Sequence, residues 1–243
     1  MGMVVVRRAD GRAVAEACEC RHEVRVTALL ERARIPKLYQ DRSLESYRTN
    51  FPGADPSLSY ARMMAQQFID GYPFTTKSRG LLFVGSIGTG KTHLAASILH
   101  ALVVEKGVRG LFWDYRALLR EMQNSYSSEV QATEMEVLRP VFRAEVLVLD
   151  ELGASKPTAW ILDTIELILN TRYNQQLTTI ITTNFPDEPE TNADTDLRRT
   201  AKGGTTLGDR IGDRMRSRLA EMCVPVQMYG ADYRQNEGRA KFG

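Results

Sequence analysis

The sequence predicts an α/β fold: a parallel sheet with helices on both faces. Three observations predict it. From about residue 79 onward, short apolar runs alternate with amphipathic helical segments. A glycine-rich loop joins the first run to its helix. A later apolar run ends in two carboxylates. Strands separated by helices pair in parallel, and helices then cover both faces of the sheet.

In chain order, GLLFV at 80–84 reads as a buried strand. A helix over 92–106 follows, with Leu94, Ile98 and Leu102 on one face. GLFWDY at 110–115 is the second strand, and helices are expected over 117–126 and 134–143. EVLVLD at 145–150 is the third strand, 158–174 a long helix, and the β-branched run TTIITT at 178–183 the fourth strand. A polar loop over 185–206 leads to one helix over 207–222 and a last short strand at 224–228. Ahead of this core, residues 1–50 are basic and mostly helical in pattern. Residues 51–78 hold a turn-rich start and a helix candidate over 58–70. The expected division is therefore 1–50, 51–78 and an α/β core over 79–243.

The 243 residues suffice for one α/β core with a small appendage. The formal net charge of +2 leaves local charge to decide any affinity for nucleic acid. Three cysteines, Cys18, Cys20 and Cys223, do not form a disulfide framework and fit a reducing, cytoplasmic setting. The N-terminus lacks the apolar stretch of a signal peptide, and no run reaches bilayer-spanning length. No membrane association is expected.

The chemistry starts at Gly85, Ser86, Ile87, Gly88, Thr89, Gly90, Lys91 and Thr92, which fit G-x-x-x-x-G-K-[ST] at every fixed position. The glycines let backbone N–H groups curl around phosphate oxygens, and the helix N-terminus adds partial positive charge. Lys91 would reach the β- and γ-phosphates, and Thr92 would offer its hydroxyl to Mg²⁺. Asp150 and Glu151 end the third strand, at the edge where α/β sheets bind ligands. Asp150 is the expected Mg²⁺ partner and Glu151 the group that activates water. A small-molecule kinase has no need of that glutamate, so the pair favours hydrolysis of ATP.

Asn184 follows the fourth strand, as a turn residue beside Pro186 or as a polar amide facing the γ-phosphate. Arg210, Arg214 and Arg218 recur at i, i+4 and i+8, one stripe if the helix is continuous. Such a stripe is either a solvated face or a source of an arginine for a neighbouring subunit's site.

Together these residues resemble the AAA+ family of bacterial helicase loaders, the DnaC/DnaI type, and its relative IstB, the ATPase partner of some transposases. The resemblance covers about residues 33–235. GSIGTGKTHLA (85–95) resembles the Walker A element, which adds His93 to the nucleotide-binding residues; VLVLDELG (146–153) resembles Walker B, and TTN (182–184) sensor 1. GDRIGDRMRSRL (208–219) is similar to the arginine-finger helix, with the finger at Arg214. GADYR (230–234) is similar to the terminal element that carries sensor 2, at Arg234. ARIPKLYQDRSL (33–44) resembles the segment that borders the adenine.

The resemblance implies a P-loop AAA+ core with a five-stranded parallel sheet of order 5-1-4-3-2, a short helical N-terminal region and no separate lid domain. It also implies ATP and Mg²⁺ as cofactors and an ATP-dependent homo-oligomer. The implied activity is loading of a replicative helicase onto single-stranded DNA. The alternative is an IstB-like regulator assembling on double-stranded DNA with a transposase.

Cys18, Cys20 and His22 resemble the trailing half of a zinc module, but three ligands do not close a structural site; free thiols are the other reading. Phe112, Trp113, Tyr115 and Tyr126 are possible stacking surfaces for DNA and residues 198–202 a phosphate-tracking loop. Successive strand residues face opposite ways, so at least one of Phe112 and Trp113 belongs to the core.

Overall fold

Local backbone preferences set the elements of the core. The computed structural model describes residues 3–7, 13–17, 19–125, 134–187 and 205–236. The N-terminal region holds β1 (Met3–Arg7), β2 (Ala13–Ala17) and α1 (Glu19–Ala33). β1 and β2 pair antiparallel, Val5 opposite Ala15. The helix was expected there and the hairpin was not; the run Val4-Val5-Val6 is β-branched and favours a strand. The short α2 (Lys37–Gln40) follows, then α3 (Pro56–Gly71), which starts at Pro56 behind Asp55. The Asp55 carboxylate accepts the Ser57 N–H at 2.8 Å, which caps the helix.

The core alternates as expected: β3 (Gly80–Gly85), α4 (Lys91–Lys106), β4 (Gly110–Asp114), α5 (Tyr115–Asn124), α6 (Glu134–Arg143), β5 (Val146–Asp150), α7 (Ala159–Asn174) and β6 (Thr178–Thr183). α8 (Leu207–Ile211), α9 (Asp213–Met222), β7 (Cys223–Met228) and α10 (Tyr233–Asn236) complete it. The sheet is parallel with order β4-β5-β6-β3-β7. Counted from the strand before the glycine loop, this is the expected 5-1-4-3-2.

Each strand sends alternate residues to opposite faces. Leu82, Val84, Trp113, Leu147, Leu149 and Ile181 join one buried cluster with residues of α5, α6, α7 and α9. Leu81, Phe83, Phe112, Val148, Ile180 and Val226 join the other, with residues of α3 and α4. Leu44 and Tyr47 are buried in that second cluster, so the segment before α3 is packed onto the face that carries the glycine loop's helix. Among the described residues no helix is long and apolar enough to cross a membrane.

The single helix expected over 207–222 is two. A capping box between Thr206 and Asp209 starts α8, and Gly212, at φ 85°, ends it and opens α9. That φ is one glycine adopts at no steric cost. The break divides the arginine stripe, leaving Arg210 on α8 and Arg214 and Arg218 on α9.

Three of the four aromatics named as possible stacking surfaces for DNA belong to the core instead. Phe112, Trp113 and Tyr115 are all buried, and the Arg34 guanidinium lies 4.5 Å over the Trp113 ring. Tyr126, the 198–202 loop and Cys18 lie outside the described residues, as do the side chains of Cys20 and His22.

Candidate nucleotide site

β3 ends at Gly85 and α4 begins at Lys91, so the glycine loop spans the gap at the C-terminal edge of the sheet. Gly88 and Gly90 adopt φ of 84° and 86°. A Cβ on Gly88 would collide with Asp232, and one on Gly90 with the Tyr47 ring. Both positions therefore need glycine for conformation and for space. The loop is held from within and without. Thr89 Oγ1 donates to the Ser86 carbonyl at 2.9 Å, and Ser86 Oγ donates to the Gly230 carbonyl at 3.3 Å. The Tyr47 hydroxyl donates to the Thr89 carbonyl at 2.7 Å. Ile87, at the loop tip, is exposed.

Lys91 is buried and its ammonium donates to the carbonyls of Gly85 and Ser86, at 2.8 and 2.6 Å. Burial lowers its pKa to about 8, against the opposing pull of Asp150 and Glu151. Thr92 Oγ1 donates to the Asp150 carboxylate at 2.9 Å, and Thr182 Oγ1 donates to it at 2.6 Å. Burial raises Asp150 to about 6, opposed by those two hydrogen bonds. The Thr92 hydroxyl and the Asp150 carboxylate, hard oxygen donors already in contact, fit a Mg²⁺ ion bound with a nucleotide.

Glu151 follows with φ 58°, its N–H donating to Thr182 Oγ1 at 2.9 Å. Its side chain is partly exposed and lies 3.9 Å from Arg116. Asn184 comes one residue after β6. Thr183 pairs with Val84, so Asn184 stands level with Gly85, beside the start of the loop. Arg234 comes from the far end of the chain. The Tyr233 N–H donates to the Gly88 carbonyl at 3.2 Å, and Arg234 Nε donates to Asp232 at 3.3 Å. Arg234 is close enough to Lys91 to lower its pKa.

His93 turns the other way. Its Nε2 lies 3.0 Å from the Ser43 carbonyl and 3.2 Å from Ser46 Oγ, and its ring meets Tyr47 edge-on at 5.4 Å. It anchors the segment before α3 to the helix that carries the loop. Arg214 contacts none of these groups. It pairs with Glu166 of α7 at 2.9 Å, and its side chain is 74% exposed.

Sequence reasoning placed Tyr39 only within the segment expected to border the adenine, and it missed Tyr47. The Tyr39 pKa is raised by burial first and then by the negative charge of Asp150 and Glu151. Tyr47 lies more than forty residues before Thr89, Gly90 and His93, and no periodicity signals such contacts.

The family model described as IstB-like ATP binding protein matches residues 11–239. The chain belongs to this family. Among relatives of this IstB-like chain, the replicative helicase loader DnaI of Bacillus subtilis is 35% identical over 137 residues, 56% of this chain and 43% of that protein. The replicative helicase loader DnaC of Escherichia coli K12 is 29% identical over 185 residues, 76% of this chain and 67% of that protein. The IstB-like chain thus spans less than half of the first relative and about two thirds of the second. The crystal structure of the DnaC helicase loader is 30% identical, with a TM-score of 0.62 over 79% of this chain and 99% of that one. The fold is the AAA+ P-loop fold, and the family is one of ATP-binding proteins.

The buried lysine makes one pH dependence measurable. Below about pH 8 Lys91 is already charged in the free site. Above it the free lysine loses its proton, and phosphate oxygens placed against it would restore the charge. ATP binding is therefore expected to take up more protons at pH 9 than at pH 7. Calorimetric titration in buffers of different ionisation enthalpy measures this. Equal uptake at both pH values would show that Lys91 is not the titrating group.

Proposed function

We propose that this chain is a Mg²⁺-dependent ATPase that loads a replicative helicase onto single-stranded DNA, with each active site completed by Arg214 of a neighbouring copy. The observation that carries the chemistry is the meeting of Lys91, Thr92, Asp150 and Glu151 at one edge of the sheet, with Thr92 and Asp150 2.9 Å apart. The partner is supported by the relatives, both of which are replicative helicase loaders.

In this reading the loop N–H groups surround the phosphates and Lys91 leaves its two carbonyls for the β- and γ-phosphate oxygens. Thr92 and Asp150 would hold Mg²⁺, which would supply charge that neutralises the phosphates. Glu151 takes a proton from the attacking water, Asn184 orients that water against the γ-phosphate, and Arg234 steadies the phosphates from the same subunit. Gly88 and Gly90 carry no side chain because Asp232 and the Tyr47 ring occupy that space.

Glu151→Gln keeps the shape and removes the base. Turnover is expected to fall ~10²–10⁴-fold with ATP affinity retained, the usual scale for a lost general base. ATP-bound oligomers should accumulate. Unchanged turnover in this variant would overturn the water-activating role.

The description of the matched family favours a second reading, an IstB-like ATPase acting with a transposase on double-stranded DNA. Co-purification with the host's replicative helicase decides between the two. Retention of the helicase in the presence of ATP supports loading. No retention, together with assembly whose extent grows with duplex length, supports the second reading.

A further inference from the structure

Two consecutive peptides of the glycine loop are fixed from outside, by segments that precede and follow the core in sequence. The Gly88 carbonyl accepts the Tyr233 N–H at 3.2 Å, and the Thr89 carbonyl accepts the Tyr47 hydroxyl at 2.7 Å. In a trans peptide the C=O and the following N–H point in opposite directions. The two bonds therefore turn the Thr89 and Gly90 N–H groups away from Tyr233 and Tyr47. Among the described residues, neither N–H is claimed by a protein acceptor. Donors of this kind need a partner where the chain is buried, and Thr89 is 2% exposed.

Tyr47 is itself locked in place. It is buried, and its ring fills the space that a Cβ on Gly90 would need. His93, in the first turn of α4, meets that ring edge-on with centroids 5.4 Å apart. His93 Nε2 lies 3.0 Å from the Ser43 carbonyl. A carbonyl only accepts, so Nε2 carries the proton and donates it. Ser46 Oγ donates to the same carbonyl at 2.9 Å. Residues 43–47 are thus a strap fastened to α4 by His93 and to the loop by Tyr47. Burial holds the Tyr47 phenol well above its ordinary pKa, so it stays a donor. If the Thr89–Gly90 peptide rotated, this buried hydroxyl would lose its acceptor, and the Gly90 N–H would turn with the peptide. The strap therefore sets the direction of that N–H before any ligand arrives.

We propose that Tyr47 is a positioning residue that aims the Gly90 N–H at the phosphates of ATP, with His93 as its lock. The strap then sets phosphate affinity through the loop, without touching the nucleotide itself. A donor ordered in advance binds more tightly, because no ordering is left to be done on binding. The inference deepens the reading of Gly85–Thr92 as a phosphate cradle and rests on it.

Tyr47→Phe tests it, since it removes the hydroxyl and keeps the ring. Binding of ATP and of inorganic tripolyphosphate, which has no base, is measured by competition against fluorescently labelled ATP. Both affinities are expected to fall by the same factor, ~5-fold, the scale of one hydrogen bond. In turnover the loss should appear as a KM for ATP raised by a like factor, with kcat nearly unchanged. His93→Leu should show a loss of the same kind. His93→Gln, whose amide N–H can still reach Ser43, should recover part of it; equal losses in the two variants would remove His93 as the lock. A lower Tm in Tyr47→Phe with both affinities unchanged would reduce the phenol to a structural bond and overturn the proposal. A loss for ATP alone would place the effect on the base and overturn it too. So would wild-type protein that binds ATP but not tripolyphosphate, because an aimed loop holds phosphates without a base. Wild-type protein that binds neither ligand would instead refute the phosphate cradle, whatever Tyr47 does.

Discussion

Arg214→Ala is expected to lower ATP turnover ~10³-fold or more, the scale of an arginine that neutralises charge on a transferring phosphoryl group. ATP affinity should change little. The expectation follows from where Arg214 stands. Within one subunit it meets Glu166, and its side chain is 74% exposed. An exposed ion pair is worth ~1 kcal/mol or less, so a neighbour's phosphate can draw the arginine away. Its companion Arg218 is held more firmly on the same helix, bonded to Asn170 and lying 4.8 Å over the Tyr173 ring. Arg210, cut off by Gly212, is engaged with Ser155 and Phe185. Of the three, Arg214 is the most exposed and the one paired with a carboxylate, Glu166, which also accepts from Asn170 Nδ2 at 3.2 Å. A large loss of ATP affinity in Arg214→Ala would mean that the residue serves its own subunit's site or the fold.

The largest expected effect on stability lies elsewhere, at Arg172. This side chain of α7 is fully buried. Its Nε donates to Thr179 Oγ1 at 2.9 Å, Nη1 to the carbonyls of Val141 and Ala144 at 2.7 and 3.0 Å, and Nη2 to the Thr178 carbonyl at 2.6 Å. It ties the end of α6, the end of α7 and the start of β6 together. Burial lowers its pKa to about 9. Removing the guanidinium leaves three buried carbonyls unpaired, each costing ~1–3 kcal/mol, and a cavity besides. Arg172→Ala is therefore expected to lose ~4 kcal/mol or more, a fall in Tm of ~8 °C or more for a chain of this size. Arg172→Lys should recover little, since one ammonium does not reproduce the planar fork. Thermal and urea unfolding measure both variants. A loss under ~1 kcal/mol in Arg172→Ala would show that water or neighbouring groups replace the bonds.

Much of the fold was legible because its signals are local. The alternation of apolar runs and helices marks each strand of the sheet, and Gly85–Thr92 and Val146–Glu151 mark its ligand edge. The strand order came with the family resemblance, since no local pattern encodes which strands are neighbours. What escaped was non-local or ambiguous. Gly212 sits inside a helical pattern that continues on both sides, and only the backbone reveals the break. Arg172 falls at an unremarkable position of a long helix, and its burial depends on carbonyls contributed by α6. Tyr47 and Arg116 reach the site through packing between elements distant in sequence. The β1–β2 hairpin was missed because a basic, alanine-rich setting outweighed three successive valines. His93 lies within the loop motif, but its ring is directed to Ser43 and Tyr47.

An ATP site shared between copies is tested most directly by a mixing experiment. Lys91→Met lacks the phosphate-binding lysine and keeps Arg214; Arg214→Ala lacks the arginine and keeps an intact loop. Each variant alone is expected to be inactive. Mixed at equal concentration, they should recover a substantial fraction of wild-type ATP turnover, because Lys91→Met subunits supply Arg214 to the intact loops of their neighbours. Turnover that stays at the level of the separate variants, when both still assemble, would contradict a site completed across subunits.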